Sequence, residues 1–398
     1  MTPAPHRRSS LIRAALRRLL PGLAALMLAA CATAPPAPAT ADLLHDELFD
    51  ADAQRVDIGD VFALSDEMRR YADRELSVAV APRDPRRALI AALYGQHQLR
   101  LNYDSGWTRN AAQAYSARSG NCLSLVIMTA AFARYLDLPV RFQSVQVDAT
   151  YSRQGDLFLA AGHVNLVLDP LQARGLRSTV ENSTLTVDFL PQSDLAGQRI
   201  TPIDEKTIVA MYANNRSAEA LSAGRLAEAY GWSRQALKHA PDFLSAANTL
   251  AVIYARAGHV AQAETALRRL LQGEPDNTAA LSNLVGLLGR AGRAAEAQAI
   301  SARLAQLQPV PPFHHFDLGR QAMAEGDPQR ALDLFKRELR RQPLQDEVHF
   351  WAAQAYGQLG QAEQAARHLR LAMENSVSRS GQDRYAAKLA SLRAAAPR

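Results

Sequence analysis

Prolines stand at positions 241, 275, 309 and 343, glycines at 224, 258, 292, 326 and 360, and alanines at 229, 263, 297, 331 and 365. Each series advances by 34 residues. Three residue types locked to one period over five units leave little freedom in the C-terminal half. Each unit has to be one supersecondary element that buries its apolar face only against its neighbours. The residues between these markers follow a helical pattern without interruption from about residue 206. The glycine reads as the stop of the first helix of a unit and the alanine as a small residue that lets helices approach closely. The proline marks the break into the next unit.

The period and pattern resemble the tetratricopeptide repeat, a helix–turn–helix unit, over residues 206–378. The second unit carries the resemblance most clearly, in Leu250, Ala251, Tyr254, Gly258, Ala263, Leu267 and Pro275. The fifth has Val377 in place of its proline, and residues 379–398 read as a more polar capping helix, the usual fate of the end of a solenoid. The resemblance implies a concave groove that holds a protein or peptide partner. Asn248, Arg256, Asn283, Arg290, Arg320 and Gln354, on the first helices of their units, are the expected lining.

The remaining residues of this 398-residue chain have to supply at least one further unit. Residues 1–30 contain Arg7, Arg8, Arg13, Arg17 and Arg18, no acidic residue, and an apolar run from Leu19 to Ala30. A basic start, a short apolar core and small residues before a break describe a secretory signal, and the run is too short to span a bilayer, which needs about 20 residues. Leu28-Ala29-Ala30-Cys31 resembles a bacterial lipoprotein signal, which implies cleavage before Cys31 and lipidation of it. Ala32, where some lipoproteins carry an inner-membrane aspartate, points to the outer membrane facing the periplasm. Removing residues 1–30 takes five positive charges from a formal net charge of +6 and leaves +1, so charge gives no case for a nucleic-acid partner. Residues 31–45, with ATAPPAPATA at 32–41, read as the lipidated cysteine and a stiff tether. Residues 46–100 read as a helical lead-in, from the three- and four-residue spacing of Val61, Phe62, Leu64, Met68 and Tyr71 and from Asp84-Pro85 before Ala88-Leu89-Ala92-Leu93.

Residues 101–200 contain one strong helix and then strand-like runs. Two cysteines in the whole chain exclude a disulfide scaffold and a zinc site built from cysteine pairs. The second, Cys122, follows Gly120-Asn121. Asn121 is a good N-cap, which puts the thiol in the first turn of the helix, where the helix dipole and free N–H groups favour a thiolate. Residues 162–168 alternate so that Val164, Leu166 and Leu168 share one strand face and His163 and Asn165 the other. Residues 184–190 alternate likewise, with Leu185, Val187 and Phe189 inward and Asp188 on the polar face. Paired antiparallel, the two strands make His163 and Asp188 neighbours, and a thiol beside them completes a nucleophile, a base and an orienting carboxylate. Asp169, which ends its strand before Pro170, and Glu181 fit the third place less well. An oxyanion hole needs the Cys122 N–H and a further donor. Asn121, Gln143, Asn165 and Trp107 are the candidates, and the sequence does not choose among them.

The order of these residues resembles the transglutaminase-like cysteine superfamily, mechanistic relatives of papain, over roughly residues 85–195. Gly120-x-Cys122 opening a helix, Leu138-Pro139-x-Arg141 after it, a strand histidine and a later strand aspartate carry the likeness. Tyr103-Asp104, Thr108-Arg109, Gly120-Asn121-Cys122-Leu123-Ser124, Phe142-Gln143, His163-Val164-Asn165 and Asp188-Phe189 look like a bacterial branch that joins this domain to tetratricopeptide repeats in lipoproteins. Val164-Asn165 and Phe189 depart from the aromatic and the proline common in the wider superfamily. The expected architecture is an α+β transglutaminase-like domain followed by an all-α repeat solenoid. The resemblance implies thiol-dependent acyl chemistry on a peptide or protein amide, hydrolysis ahead of transfer, by Cys122, His163 and Asp188. The alternative is a non-catalytic adaptor lipoprotein acting through its repeats. No cofactor and no metal are expected: there is no phosphate-binding glycine motif, and His314-His315 are adjacent, so their side chains diverge.

Overall fold

The computed structural model describes residues 40–76, 84–95, 101–104, 107–154, 157–170, 184–189, 199–343, 345–376 and 379–395. Residues 1–39, which include Cys31, the expected signal and most of the expected tether, lie outside the described residues, as does Glu181.

Between Glu205 and Asn375 the described residues form ten helices in five pairs, α5 (Glu205–Ser222) with α6 (Leu226–His239), α7 (Leu244–Arg256) with α8 (Val260–Gly273), α9 (Thr278–Arg290) with α10 (Ala294–Leu307), α11 (His314–Ala324) with α12 (Pro328–Arg341), and α13 (Asp346–Gln358) with α14 (Ala362–Asn375). Gly224, Gly258, Gly292, Gly326 and Gly360 all sit between the helices of a pair at φ between 72° and 86°, a conformation that costs residues with a Cβ. Ala229, Ala263, Ala331 and Ala365 are buried at 0–1% exposure. The stack is a tetratricopeptide-type array. Helix α15 (Arg379–Ala395) closes it, with Tyr385 buried against Phe350 at a ring separation of 5.4 Å.

The preceding residues build an α+β body. Its centre is α4 (Cys122–Tyr135), buried on every side from Leu123 to Ala133, as expected of a helix that is apolar all round. Tyr71 of α1 (Asp66–Tyr71) and Tyr115 of α3 (Ala111–Ala117) pack around Phe132 at ring separations of 5.8–6.0 Å. Helix α2 (Pro85–Tyr94), capped by Asp84, brings the Tyr94 hydroxyl to 2.5 Å from Thr129 Oγ1. Strands β1 (Asn102–Tyr103) and β2 (Ser119–Gly120) pair in parallel just before α4. A four-stranded antiparallel sheet follows, in the order β5-β4-β3-β6, from β3 (Val140–Gln154), β4 (Leu157–Leu168), β5 (Leu185–Val187) and β6 (Arg199–Ile203). Phe142, Val164, Leu166, Leu168 and Val187 join α4 in one apolar core.

The lead-in differs from its sequence reading. Residues 46–64 hold one 3-10 turn, Asp46–Leu48, and otherwise no helix. Aspartate side chains capture the backbone donors a helix would use. Asp50 accepts from the N–H of Asp52 and Ala53, Asp57 from Gly59 and Asp60 from Phe62. Residues 40–45, expected to belong to a tether, are instead docked on the array. Residues 40–55 form a strap over the array. Tyr254 donates to Leu43 O at 2.7 Å, Tyr230 donates to Asp46 at 2.6 Å, Phe49 stacks on Tyr230 at 4.4 Å, and Arg234 reaches both Asp46 and Gln54. Further on, Val61 O accepts from the N–H of Ala111, so the same segment ties the array to α3.

Candidate active site

The register of the sheet places the polar residues. Leu166 pairs with Val187 and Leu168 with Leu185, so Asp188, one residue past Val187, falls beside Asn165 on the face opposite the apolar core. Across β3, Gln143 pairs with Asn165 and Val145 with His163, and the ladder shifts register immediately beyond that pair. His163 therefore stands where the regular ladder ends, a common place for a side chain to be re-aimed. Phe189, held against the Tyr94 ring at 5.2 Å, anchors the chain just after Asp188.

His163 Nε2 lies 2.6 Å from Asp188 Oδ1, with side chains 4% and 10% exposed. Cys122, half-buried at the first position of α4, stands near enough to the same imidazole to act on its charge. Burial works against a charged ring here, but the bond to Asp188 and the nearby Cys122 sulfur outweigh it and push His163 up to about 9. At neutral pH the imidazole thus holds its proton between a carboxylate and a sulfur. Asn165, 2% exposed, donates from Nδ2 to the other Asp188 oxygen at 2.9 Å, and its own Oδ1 is buried without a hydrogen-bond partner.

The start of α4 is tied down tightly. Asn121 Oδ1 accepts from Ser124 N–H at 2.9 Å and from the Ser124 hydroxyl at 2.8 Å, and Asn121 Nδ2 donates to Thr108 Oγ1 at 2.9 Å. Ser124 Oγ in turn accepts from Arg109 N–H at 2.8 Å. A Cβ on Gly120 would stand 2.6 Å from Ser124 Cβ, which explains a glycine before the cap. Cys122 and Leu123, at the helix start, have N–H groups with no intrahelical acceptor.

The structure brings together Cys122, His163, Asp188, Asn165 and Asn121. Of the oxyanion candidates, Asn121 and Asn165 spend their amides on Thr108 and Asp188, which makes them supports of the thiol helix and of the carboxylate. Gln143 is half-buried opposite Asn165. Trp107 is 48% exposed, with the Arg216 guanidinium of α5 5.6 Å from its ring centre. Asp169 is committed elsewhere, in a two-pronged pair with Arg141 at 2.6 Å for both contacts. Glu219, on α5, is a member of the surroundings that the sequence did not single out. It accepts from Thr108 N–H at 2.6 Å and pairs with Arg216 at 2.9 Å.

In the array, Arg256, Asn283 and Arg290 line one groove beside Val252 and Gly286, and Asn283 donates to Asn248 at 3.0 Å. Arg320 and Gln354 line a second, of about 750 Å³, with Trp351, Met323, Lys388 and Leu392. Among the described residues no group of three or more His, Cys, Asp or Glu side chains could hold a metal ion, and no helix is long and apolar enough to cross a membrane.

No family model and no curated protein sequence matches the chain. Solved structures of repeat proteins do. MamA from MSR-1 is 27% identical, with 42% of this chain and 97% of that one covered at a TM-score of 0.24. TTC0263, described as a thermophilic TPR protein in Thermus thermophilus, is 20% identical, with 46% and 99% covered at 0.30. YrrB, described as a TPR protein with an unusual peptide-binding site, is 18% identical, with 44% and 90% covered at 0.25.

Proposed function

We propose that the chain is an exported, lipid-anchored protein of the cell envelope that carries out thiol-dependent acyl chemistry on a peptide or protein amide, with its repeats holding the substrate or a partner. The observation that carries the reading is the buried imidazole of His163, bonded to Asp188, with Cys122 nearby at the start of α4. A sulfur in that place attacks the acyl carbon of an amide as the thiolate. The carbonyl electrons move onto oxygen, where the N–H groups of the first turn of α4 supply donors. Collapse of the intermediate breaks the C–N bond, and the His163 imidazolium gives its proton to the departing amine. His163, now neutral, takes a proton from water, whose oxygen displaces the sulfur as a carboxylic acid. Asp188 holds the ring in the orientation both transfers need, and Asn165 holds Asp188. Hydrolysis is the favoured outcome, since water is the default acceptor.

A second reading is an adaptor that works through the repeats alone. It is favoured by the two grooves of the array, and the likenesses to other repeat proteins bear on it and not on the thiol site. Iodoacetamide alkylation of Cys122, followed by peptide mass across pH 4–9, separates the two. Acyl chemistry requires reactivity that persists well below pH 7 and that His163→Ala abolishes. A midpoint near that of an ordinary thiol, about 8.5, leaves the adaptor.

A further inference from the structure

Glu219 lies on the first helix of the repeat array, in a stretch where a carboxylate would ordinarily face solvent. Its side chain is instead 16% exposed and turned onto the α+β body. Oε1 accepts the Thr108 N–H at 2.6 Å, and Oε2 takes Arg216, whose guanidinium is 5.6 Å from the Trp107 ring centre and 5.4 Å from that of Trp232. Thr108, 2% exposed, passes the constraint on, because its Oγ1 is the acceptor for Asn121 Nδ2. Asn121 caps the helix whose first residue is Cys122. Arg109, next to Thr108, adds a second tie through Ser124 Oγ and is itself fixed by Asp104 at 3.0 Å. Two consecutive hydrogen bonds thus run from the array to the residue beside the thiol, across a sequence separation of 111 residues at the Glu219–Thr108 step. A carboxylate is retained in this half-desolvated place although burial raises it above the usual range, which is costly unless its hydrogen bonds are needed.

We propose that Glu219 is a positioning residue for Cys122, acting through Thr108 and Asn121, so that the first repeat completes the thiol site. The proposal rests on the thiol–imidazole reading above. It makes the array part of the reactive centre, and it gives residues 107–109 the task of carrying position from one to the other. Glutamine in place of Glu219 keeps an acceptor for Thr108 N–H, whereas alanine removes it.

The test uses the full chain and reads iodoacetamide alkylation of Cys122 by peptide mass against pH, with the melting temperature measured alongside. Glu219→Ala is expected to slow alkylation at pH 6 by about tenfold. Glu219→Gln is expected to restore the wild-type profile. Thr108→Val removes the acceptor for Asn121 at nearly constant shape, so it reads the same link if Glu219→Ala does not fold. A wild-type profile shifted low that Glu219→Ala and Thr108→Val both leave in place overturns the positioning role alone. A wild-type Cys122 that titrates as an ordinary thiol overturns the acyl-chemistry reading and the positioning role with it.

Discussion

Gly231→Ala is a sharp test of the strap, because two effects predict opposite signs. Gly231 lies within α6, where alanine is preferred over glycine by about 1 kcal/mol from helix propensity alone. Against this, a Cβ at position 231 would stand 2.1 Å from Gln54 O and 2.9 Å from its carbonyl carbon. The obstacle is backbone, so no rotamer change relieves it, and the strap must retreat by roughly 1 Å to restore contact distance. Gln54 is 4% exposed and accepts from Arg234 at 2.8 Å while donating to Asp46 O at 3.1 Å. A retreat of that size breaks the bond to the charged donor, which contributes about 1.5–3 kcal/mol, and adds about 1–3 kcal/mol of overpacking. After the helical gain is set against these, a net loss of about 1.5–5 kcal/mol remains. Urea unfolding measures it, and limited proteolysis with cleavage mapped between residues 46 and 60 locates it. If Gly231→Ala is stabilised by about 1 kcal/mol and its cleavage pattern is unchanged, the strap does not rest on α6 and the reasoning fails.

Asp188→Asn removes the carboxylate that keeps His163 charged. His163 is raised from about 6.5 to about 9, so its contribution to stability, at most about 3 kcal/mol, is fully present below pH 6.5 and is lost as pH rises through 9. The stability gap between wild type and Asp188→Asn, read by urea unfolding, should be widest below pH 6.5 and close above pH 9. In the fifth repeat, His349 and His368 meet Nδ1 to Nδ1 at 3.0 Å, and burial lowers His349 and pushes His368 down to about 4. Neutral rings are therefore favoured in the folded array, so stability falls as pH drops from about 6.5 towards 4. Hydrogen exchange in α13 and α14 should accelerate over that window in the wild type and much less in His368→Leu.

The repeat array was legible because its period is written in backbone requirements. Gly258 is needed for its φ of 86° and Ala263 for a site at 0% exposure, and neither depends on what lies elsewhere in the chain. The alternation around His163 and Asp188 was legible for the same reason, since a period of two assigns faces before any partner is known. The strap was not. Val61, Phe62, Met68 and Tyr71 have helical spacing, but the first two are anchors of an irregular segment and only the last two lie on a helix. Spacing reports burial, and side chains buried from an irregular segment can imitate a helical face. In the sequence the amides of Asn121 and Asn165 look free to serve an oxyanion, because their partners, Thr108 and Asp188, are set by tertiary structure. Glu219 carried no signal at all: inside a repeat it looks like any solvated helical acid, and only the fold puts Thr108 against it.

The docking of Thr40 gives the chain a fixed point of departure. Its hydroxyl donates to Pro241 O at 3.0 Å, and Asp42 pairs with Arg269 at 2.6 Å, so the polypeptide leaves the folded body at the corner between the first two repeats. Under the lipid-anchor reading, residues 32–39 are the whole leash, and a fully stretched leash of that length reaches about 28 Å. It would moor the molecule by its array, near the corner at Pro241. Partners that come up from the membrane would then meet the early repeats first, and lengthening the Pro/Ala stretch should change which of them can reach the thiol without altering the thiol itself.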